Sequence, residues 1–265
     1  VRPRIHFNSA NAETSSEMLK NADIQRRRYG HLDWWVRVSL LTPEAAKILE
    51  DPEAFLRVSK LFKNDRSAMI AAAHGYVVKR SNQPKPYNLI IDLFRRSRAR
   101  RAFAHALRFE QLGIPTAKAI ASADLRRLGM PFASYLVTEE IPSAVHLGKW
   151  EGNKSDVIVS MAKLVADLHN AGFRHGDLKE TNVLFDNAGR PHLIDMDSVR
   201  HYRRLPDSGA AKDLARLWKI RFRTCRYTRT DALRFLKAYC QNRHEPELRR
   251  WWSKVAAMHK ARTTM

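Results

Sequence analysis

Cysteine is nearly absent from this chain. Its 265 residues include two, Cys225 and Cys240, too few for a disulfide framework, and no CxxC pair or Cys/His cluster offers zinc spacing. Both thiols are expected to be reduced and buried. Long hydrophobic runs are absent too: the longest mostly apolar stretch, residues 67–78, contains His74 and Gly75 and is too short to span a bilayer. The opening run VRPRIHFNSANAETSS lacks an apolar segment, so no secretory signal is expected. No internal repeat, low-complexity tract or GxGxxG motif occurs. Acidic charge is scarce, with 27 Asp and Glu against 48 Lys and Arg, a formal net charge of +21. A surface of that sign seeks phosphates, on nucleic acid, anionic lipid or a phosphorylated substrate. What is present is core-forming material. An apolar content of 44% with 9% aromatics excludes a disordered chain, and the length supports one generous core or two small lobes.

The pattern along the chain divides in two. Residues 1–32 are polar, with Arg26, Arg27 and Arg28 in series, and are expected to form a tail or loosely docked arm. Short strand-like runs follow at 34–38, 61–63, 68–72 and 76–79, with turns at 64–67 and 74–75. Residues 95–113 predict a helix whose apolar positions 99, 102, 103, 106 and 107 share one face; Gly113 and Pro115 stop it. Strands at 117–121 and 134–138 lead to the polar run EEIPS (139–143), a natural hinge. Beyond it helices dominate, at 155–171, 209–221, 231–240 and 246–262, around one hairpin of strands 183–185 and 192–194 joined by a turn at 186–189. The expected class is therefore α+β, an antiparallel-sheet lobe with one main helix (33–138), a hinge (139–143), and a helical lobe (144–265) carrying the hairpin.

The segment RHGDLKETNVLFDNAGRPHLIDMDSVR (174–200) concentrates the chemistry. Phosphoryl transfer needs a carboxylate to orient the attacking hydroxyl and cations to neutralise phosphates. Asp177 follows a helix C-terminus, Asn182 lies five residues on, and Asp195 is expected to end the second hairpin strand, so the hairpin brings Asn182 and Asp195 together. An Asn and Asp oxygen pair suits the hard cation Mg²⁺. If residues 195 and 197 both lie on a strand they face the same side. Asp197 then stands as second choice for the metal, or as a partner of Arg200.

The pattern His-x-Asp-x(4)-Asn…Asp resembles the catalytic and metal-binding loops of the protein-kinase-like fold. That resemblance implies Asp177 as base, Lys179 on the transferring phosphate, Asn182 and Asp195 as metal ligands, and Lys79, ending Tyr76-Val77-Val78, on the nucleotide phosphates. The turn 64–67 would cover the nucleotide in place of a glycine-rich loop. Ala102 stands about where the fold's helix carries a Glu for the lysine, and Glu110, the one carboxylate of that helix, reads as a surface or capping charge. Asp213 is expected to open a helix and either brace the catalytic loop or favour the helix dipole.

More narrowly, the chain resembles the bacterial lipopolysaccharide core sugar kinases, which phosphorylate heptose or Kdo (3-deoxy-octulosonic acid). The resemblance rests on residues 76–79, SRARRAF…LGIPTAKAIA (97–121), LVTEEIP (136–142), LVADLHNAGFRHGDLKETNVLF (164–185), LIDMDSVR (193–200), KDLARL (212–217) and TRTDALRFLKAY (228–239). It implies ATP and Mg as cofactors, a nucleotide contact at Glu139 and Ile141 of the hinge, lipopolysaccharide core as acceptor, and peripheral attachment to the anionic cytosolic face of the inner membrane. Six arginines between 95 and 108, and Arg216, Lys219, Arg221, Arg223, Arg226 and Arg229, would bind sugar anions or lipid headgroups. Two alternatives use the same residues differently: a RIO- or Bud32-like atypical protein kinase associated with RNA, and a basic pseudokinase adaptor supported by the missing Glu alone.

Overall fold

In the computed structural model, residues 23–82, 96–127, 130–224, 228–244 and 247–263 are described. They divide into two compact units, one holding the residues up to Ala104 with Ala119–Thr138, the other His105–Lys118 and Glu139 onward. One division thus falls at the start of the expected hinge. Residues 105–118, placed by sequence with the sheet, group instead with the helical unit. The reason is local: Leu193 N donates to Pro115 O at 2.9 Å, and Thr116 Oγ1 donates to Leu193 O at 2.8 Å.

The first unit is built on strands β1 (Ile24–Tyr29), β2 (Leu32–Arg37), β3 (Lys60–Asn64), β4 (Ala68–Ala73), β5 (Tyr76–Asn82), β6 (Ala119–Arg127) and β7 (Met130–Glu139). They form one seven-stranded sheet in the order β1-β2-β6-β7-β5-β4-β3. The described part of the expected arm is therefore mostly strand. Ile24 is buried, Arg26 and Arg28 pair with Asp33 of β2 at 3.1 and 4.0 Å, and Asp23 receives Val38 N through its carbonyl and Ser39 N through its carboxylate. Three consecutive arginines suit an exposed sheet edge, where charge blunts further pairing. Residues 1–22 lie outside the described part.

Two helices that hydrophobic spacing does not reveal cover the sheet. Thr42 accepts from Ala45 N and starts α1 (Pro43–Glu50), and Asp51 accepts from Ala54 N and starts α2 (Pro52–Val58). In both, proline takes the first helical position, where its missing N–H costs nothing. Ala45, Ile48, Leu49 and Leu56 join Trp34, Val36, Ala71, Val78, Ile120, Tyr135 and Val137 in one core. Full burial of each large side chain is worth about 1.5–3 kcal/mol. Helix α3 (Arg98–Gln111) follows the predicted stripe, since Ala99, Ala102, Phe103, Ala106 and Leu107 are all buried.

The second unit pairs α4 (Lys154–Asn170) with α6 (Arg229–Asn242), and α5 (Asp207–Thr224) with α7 (Leu248–Thr263). The predicted inner face of α4, namely Val157, Ile158, Met161, Leu164, Val165 and Leu168, is buried throughout. Strands β8 (Val145–His146), β10 (Val183–Phe185) and β11 (Pro191–Leu193) form a small sheet, and β9 (Phe173–Arg174) pairs with β12 (Arg200–His201). Among the described residues no helix is long and apolar enough to cross a membrane.

Candidate active site

The loop between β9 and β10 is held from three directions. Leu178 is fully buried, so its neighbours Asp177 and Lys179 are directed away from the core. Gly176 has φ +80°, and a Cβ there would sit 2.5 Å from Ser198 O, so only glycine lets the loop approach the chain after β11. Asp213 supplies the third hold. Its buried carboxylate accepts His175 N at 2.7 Å and Gly176 N at 3.1 Å, with Arg174 Nε 3.5 Å away. Asp213 lies inside α5 rather than at its start, which removes the helix-dipole alternative. It braces the loop.

Asp177 sits among three donors. Lys179 Nζ lies 3.1 Å from its Oδ2, Arg216 Nη1 donates to its Oδ1, and Asn182 Nδ2 donates to its carbonyl at 2.9 Å and approaches Oδ2 at 3.4 Å. With the Asn182 amide nitrogen on the backbone, its carbonyl oxygen is the end suited to a metal. Ile194 N donates to Asn182 O at 3.1 Å, so Asp195 follows directly on the residue bonded to Asn182. His175 fixes the same corner, its Nε2 lying 3.1 Å from Ile194 O.

Asp195 does not continue the strand. β11 stops at Leu193, Asp195 takes φ +63°, ψ +58°, and Met196–Ser198 form a 3-10 turn. Same-face alternation therefore does not apply to Asp195 and Asp197: the backbone turns between them. A non-glycine residue in the left-handed region is held there at a cost of order 1 kcal/mol or more, a pattern concentrated at functional sites. Among the described residues no group of three or more His, Cys, Asp or Glu gathers to hold a metal. Asn182 and Asp195 still offer two oxygen donors of the kind taken by a hard, water-retaining cation such as Mg²⁺, which takes few protein ligands.

The remaining expected residues belong to other elements. Lys79 is on β5, opposite Ile70 of β4 and half-buried, in the sheet unit. The 64–67 turn is organised by Asp65, whose Oδ1 accepts Ser67 N at 2.7 Å and Ala68 N at 3.0 Å; the Ser67 hydroxyl and these N–H groups pull its carboxyl far below the usual range. Glu139 N donates to Lys118 O at 2.9 Å and its side chain faces Lys118 Nζ at 3.6 Å, while Ile141 O accepts Ala144 N. Ala102 is buried and Glu110 exposed. Arg95 and Arg226 lie outside the described residues. Of the 95–108 cluster, Arg100 stacks over the Trp35 ring at 4.9 Å and Arg101 donates to Arg96 O, so part of it serves internal contacts. The sequence offers Arg216 only as one member of a basic cluster, and no spacing announces its contact with Asp177; Glu53 of α2 receives Tyr135 Oη at 2.6 Å and Arg80 Nη1 at 3.2 Å.

Behind the loop runs a buried polar chain. Tyr239 Oη and His169 Nδ1 are 2.8 Å apart, and His169 Nε2 is 3.6 Å from Asp213. Burial drives the His169 and His175 rings below the ordinary histidine value despite Asp213. Burial works to raise Asp213, but His169, His175 and Arg174 outweigh it and hold the carboxyl low. The native rings thus refuse protons that the unfolded chain accepts once pH drops below about 6.5. Stability is full above that pH and is expected to fall by up to about 1.4 kcal/mol per pH unit for each ring as pH goes from about 6.5 to 5. Asp213 contributes its own loss only lower, as pH drops through its depressed value. Urea unfolding at a series of pH values checks this; a flat profile from pH 7 to 5 contradicts it.

A family model described as lipopolysaccharide kinase (Kdo/WaaP) family matches residues 56–239. No curated protein matches. Among solved structures, WaaP in complex with acyl carrier protein is similar with a TM-score of 0.56 and 23% identity, covering 80% of this chain and 91% of that one. The bifunctional kinase-methyltransferase WbdD aligns with a TM-score of 0.45 and 15% identity, over 73% of this chain and 47% of its own.

Proposed function

Since the chain belongs to the lipopolysaccharide kinase (Kdo/WaaP) family and is a kinase of the protein-kinase-like fold, we propose that it moves the γ-phosphoryl group of ATP, with magnesium, to a heptose or Kdo hydroxyl of the lipopolysaccharide inner core. The observation that carries the reading is the Asp177 carboxylate set beside Lys179 at 3.1 Å, one turn of chain from Asn182. Asp177 receives and orients the acceptor hydroxyl and takes its proton as the bond to phosphorus forms. Lys179 leaves Asp177 for the transferring phosphate and offsets its charge. Asn182 and Asp195 would hold the magnesium, Lys79 would pair with nucleotide phosphates, and the Glu139 carbonyl with the Ile141 N–H would meet the adenine edge. When bound, magnesium supplies charge neutralisation on the phosphate oxygens.

The acceptor is anionic and so is a bacterial inner-membrane surface. A net charge of +21 supports peripheral residence at its cytosolic face, each basic side chain near the headgroups being worth about 1 kcal/mol. The presence of Asp177, Lys179, Asn182 and Asp195 together argues against an inert adaptor. The test is transfer of labelled γ-phosphate from ATP–Mg²⁺ to dephosphorylated lipopolysaccharide beside protein and RNA-bound acceptors. Label in the lipopolysaccharide is expected. Label in protein would favour the atypical protein kinase reading, and none anywhere with folded protein would favour the adaptor.

A further inference from the structure

Arg216 is not needed to hold the catalytic loop. Asp213 already binds the His175 and Gly176 N–H groups, Leu178 is buried, and Asn182 fixes the Asp177 carbonyl. Yet Arg216, three residues after Asp213 and so on the same face of α5, reaches Asp177 Oδ1 while Lys179 takes Oδ2. Both oxygens of the carboxylate are thus engaged by cations, one from the loop itself and one from α5. To receive a hydroxyl, Asp177 must release or share at least one. Lys179 has a destination on the transferring phosphate; Arg216 has none in that account.

The chemistry of the side chain suggests one. A guanidinium carries five N–H donors in a planar fork suited to carboxylates and phosphates, and Asp177 uses one of them. The Arg216 side chain is 32% exposed, whereas Arg174, which faces the Asp213 carboxylate, is 19% exposed. A ligand therefore has access to the remaining Arg216 donors. Resting on the kinase reading of Asp177, we propose that Arg216 determines acceptor specificity: it binds a carboxylate or phosphate substituent of the acceptor sugar, beside the hydroxyl that Asp177 receives, and so selects acidic sugars over neutral ones. In the unliganded chain the Asp177 carboxylate stands where the acceptor's anion draws the fork.

The experiment compares two acceptor pairs with the full chain: a 3-deoxy-octulosonic acid glycoside against its methyl ester, and a phosphorylated heptoside against its unphosphorylated parent. The wild type is expected to favour the anionic member of one pair by about 100-fold in kcat/KM, and which pair shows this identifies carboxylate or phosphate as the anion. Arg216→Met should reduce that preference to about 3-fold or less, through KM for the anionic acceptor and with KM for ATP unchanged, while Arg216→Lys keeps an intermediate preference. Equal loss on both members of a pair would reduce Arg216 to a positioning residue and overturn the proposal, as would a wild type indifferent to the anion. Wild-type chain that phosphorylates none of the four acceptors and no lipopolysaccharide would instead overturn the sugar-kinase reading, and this inference with it. Thermal unfolding and ATP binding serve as the folding controls for each variant.

Discussion

Asp177→Asn is expected to lower phosphate transfer about 1,000-fold while ATP affinity changes by no more than about 3-fold. The amide keeps the size of the side chain and can still accept from Lys179, but it cannot take a proton from the acceptor. The carboxylate lies 3.1 Å from Lys179 and is contacted by Arg216, both partly exposed, so losing its charge removes pairs worth about 1 kcal/mol or less each. The loop keeps its other supports, the Asp213 bonds and the buried Leu178, and the variant should unfold within a few degrees of the wild type. Single-turnover transfer and equilibrium ATP binding on the same preparation separate the two effects. Retained transfer would remove Asp177 from the role; lost ATP binding would move it to the nucleotide.

Asp195→Gly should show the opposite pairing of effects, gaining stability and losing function. At φ +63° the aspartate backbone sits where glycine sits without strain, so relief of about 1 kcal/mol is expected. The same substitution deletes the carboxylate proposed to hold magnesium, and Mg²⁺-dependent nucleotide affinity should fall roughly 100-fold, about 2.7 kcal/mol. Asp197→Ala, in the following 3-10 turn, should change that affinity by about 3-fold or less. Calorimetric titration of ATP with and without magnesium, beside thermal unfolding, measures both. If Asp197→Ala carries the loss and Asp195→Gly does not, the two carboxylates exchange assignments.

What sequence could and could not disclose follows from how each part is stabilised. The helical unit was legible because amphipathic periodicity is a local record of burial, and α4 buries the six apolar positions its spacing names. The hairpin was legible because Asp186–Gly189 is turn chemistry between two short runs, Val183–Phe185 and His192–Ile194. Helices α1 and α2 left a different record, Thr42-Pro43 and Asp51-Pro52, which is cap chemistry and not periodicity; a reading confined to apolar spacing passes over it. Strand β1 was hidden because half of this edge strand is arginine, and its pairing is set by Asp23 and Asp33 across the hairpin. In the site, the loop residues follow from the His-x-Asp-x(4)-Asn spacing. Arg216 does not: it lies 39 residues from Asp177, and only the packing of α5 against the loop brings it there. The turn at Asp195 escaped for a related reason, since two aspartates separated by one residue read as strand alternation until a left-handed residue breaks it.

The proposed transfer of phosphate by Asp177 onto a sugar of the lipopolysaccharide core is checked by mass spectrometry of dephosphorylated lipopolysaccharide after incubation with the chain and ATP–Mg²⁺, fragmented to separate core from lipid anchor. The account predicts one added phosphate on a core sugar with the wild type and none with Asp177→Asn. Phosphate on the lipid anchor, or on the core with the variant as readily as with the wild type, would contradict it.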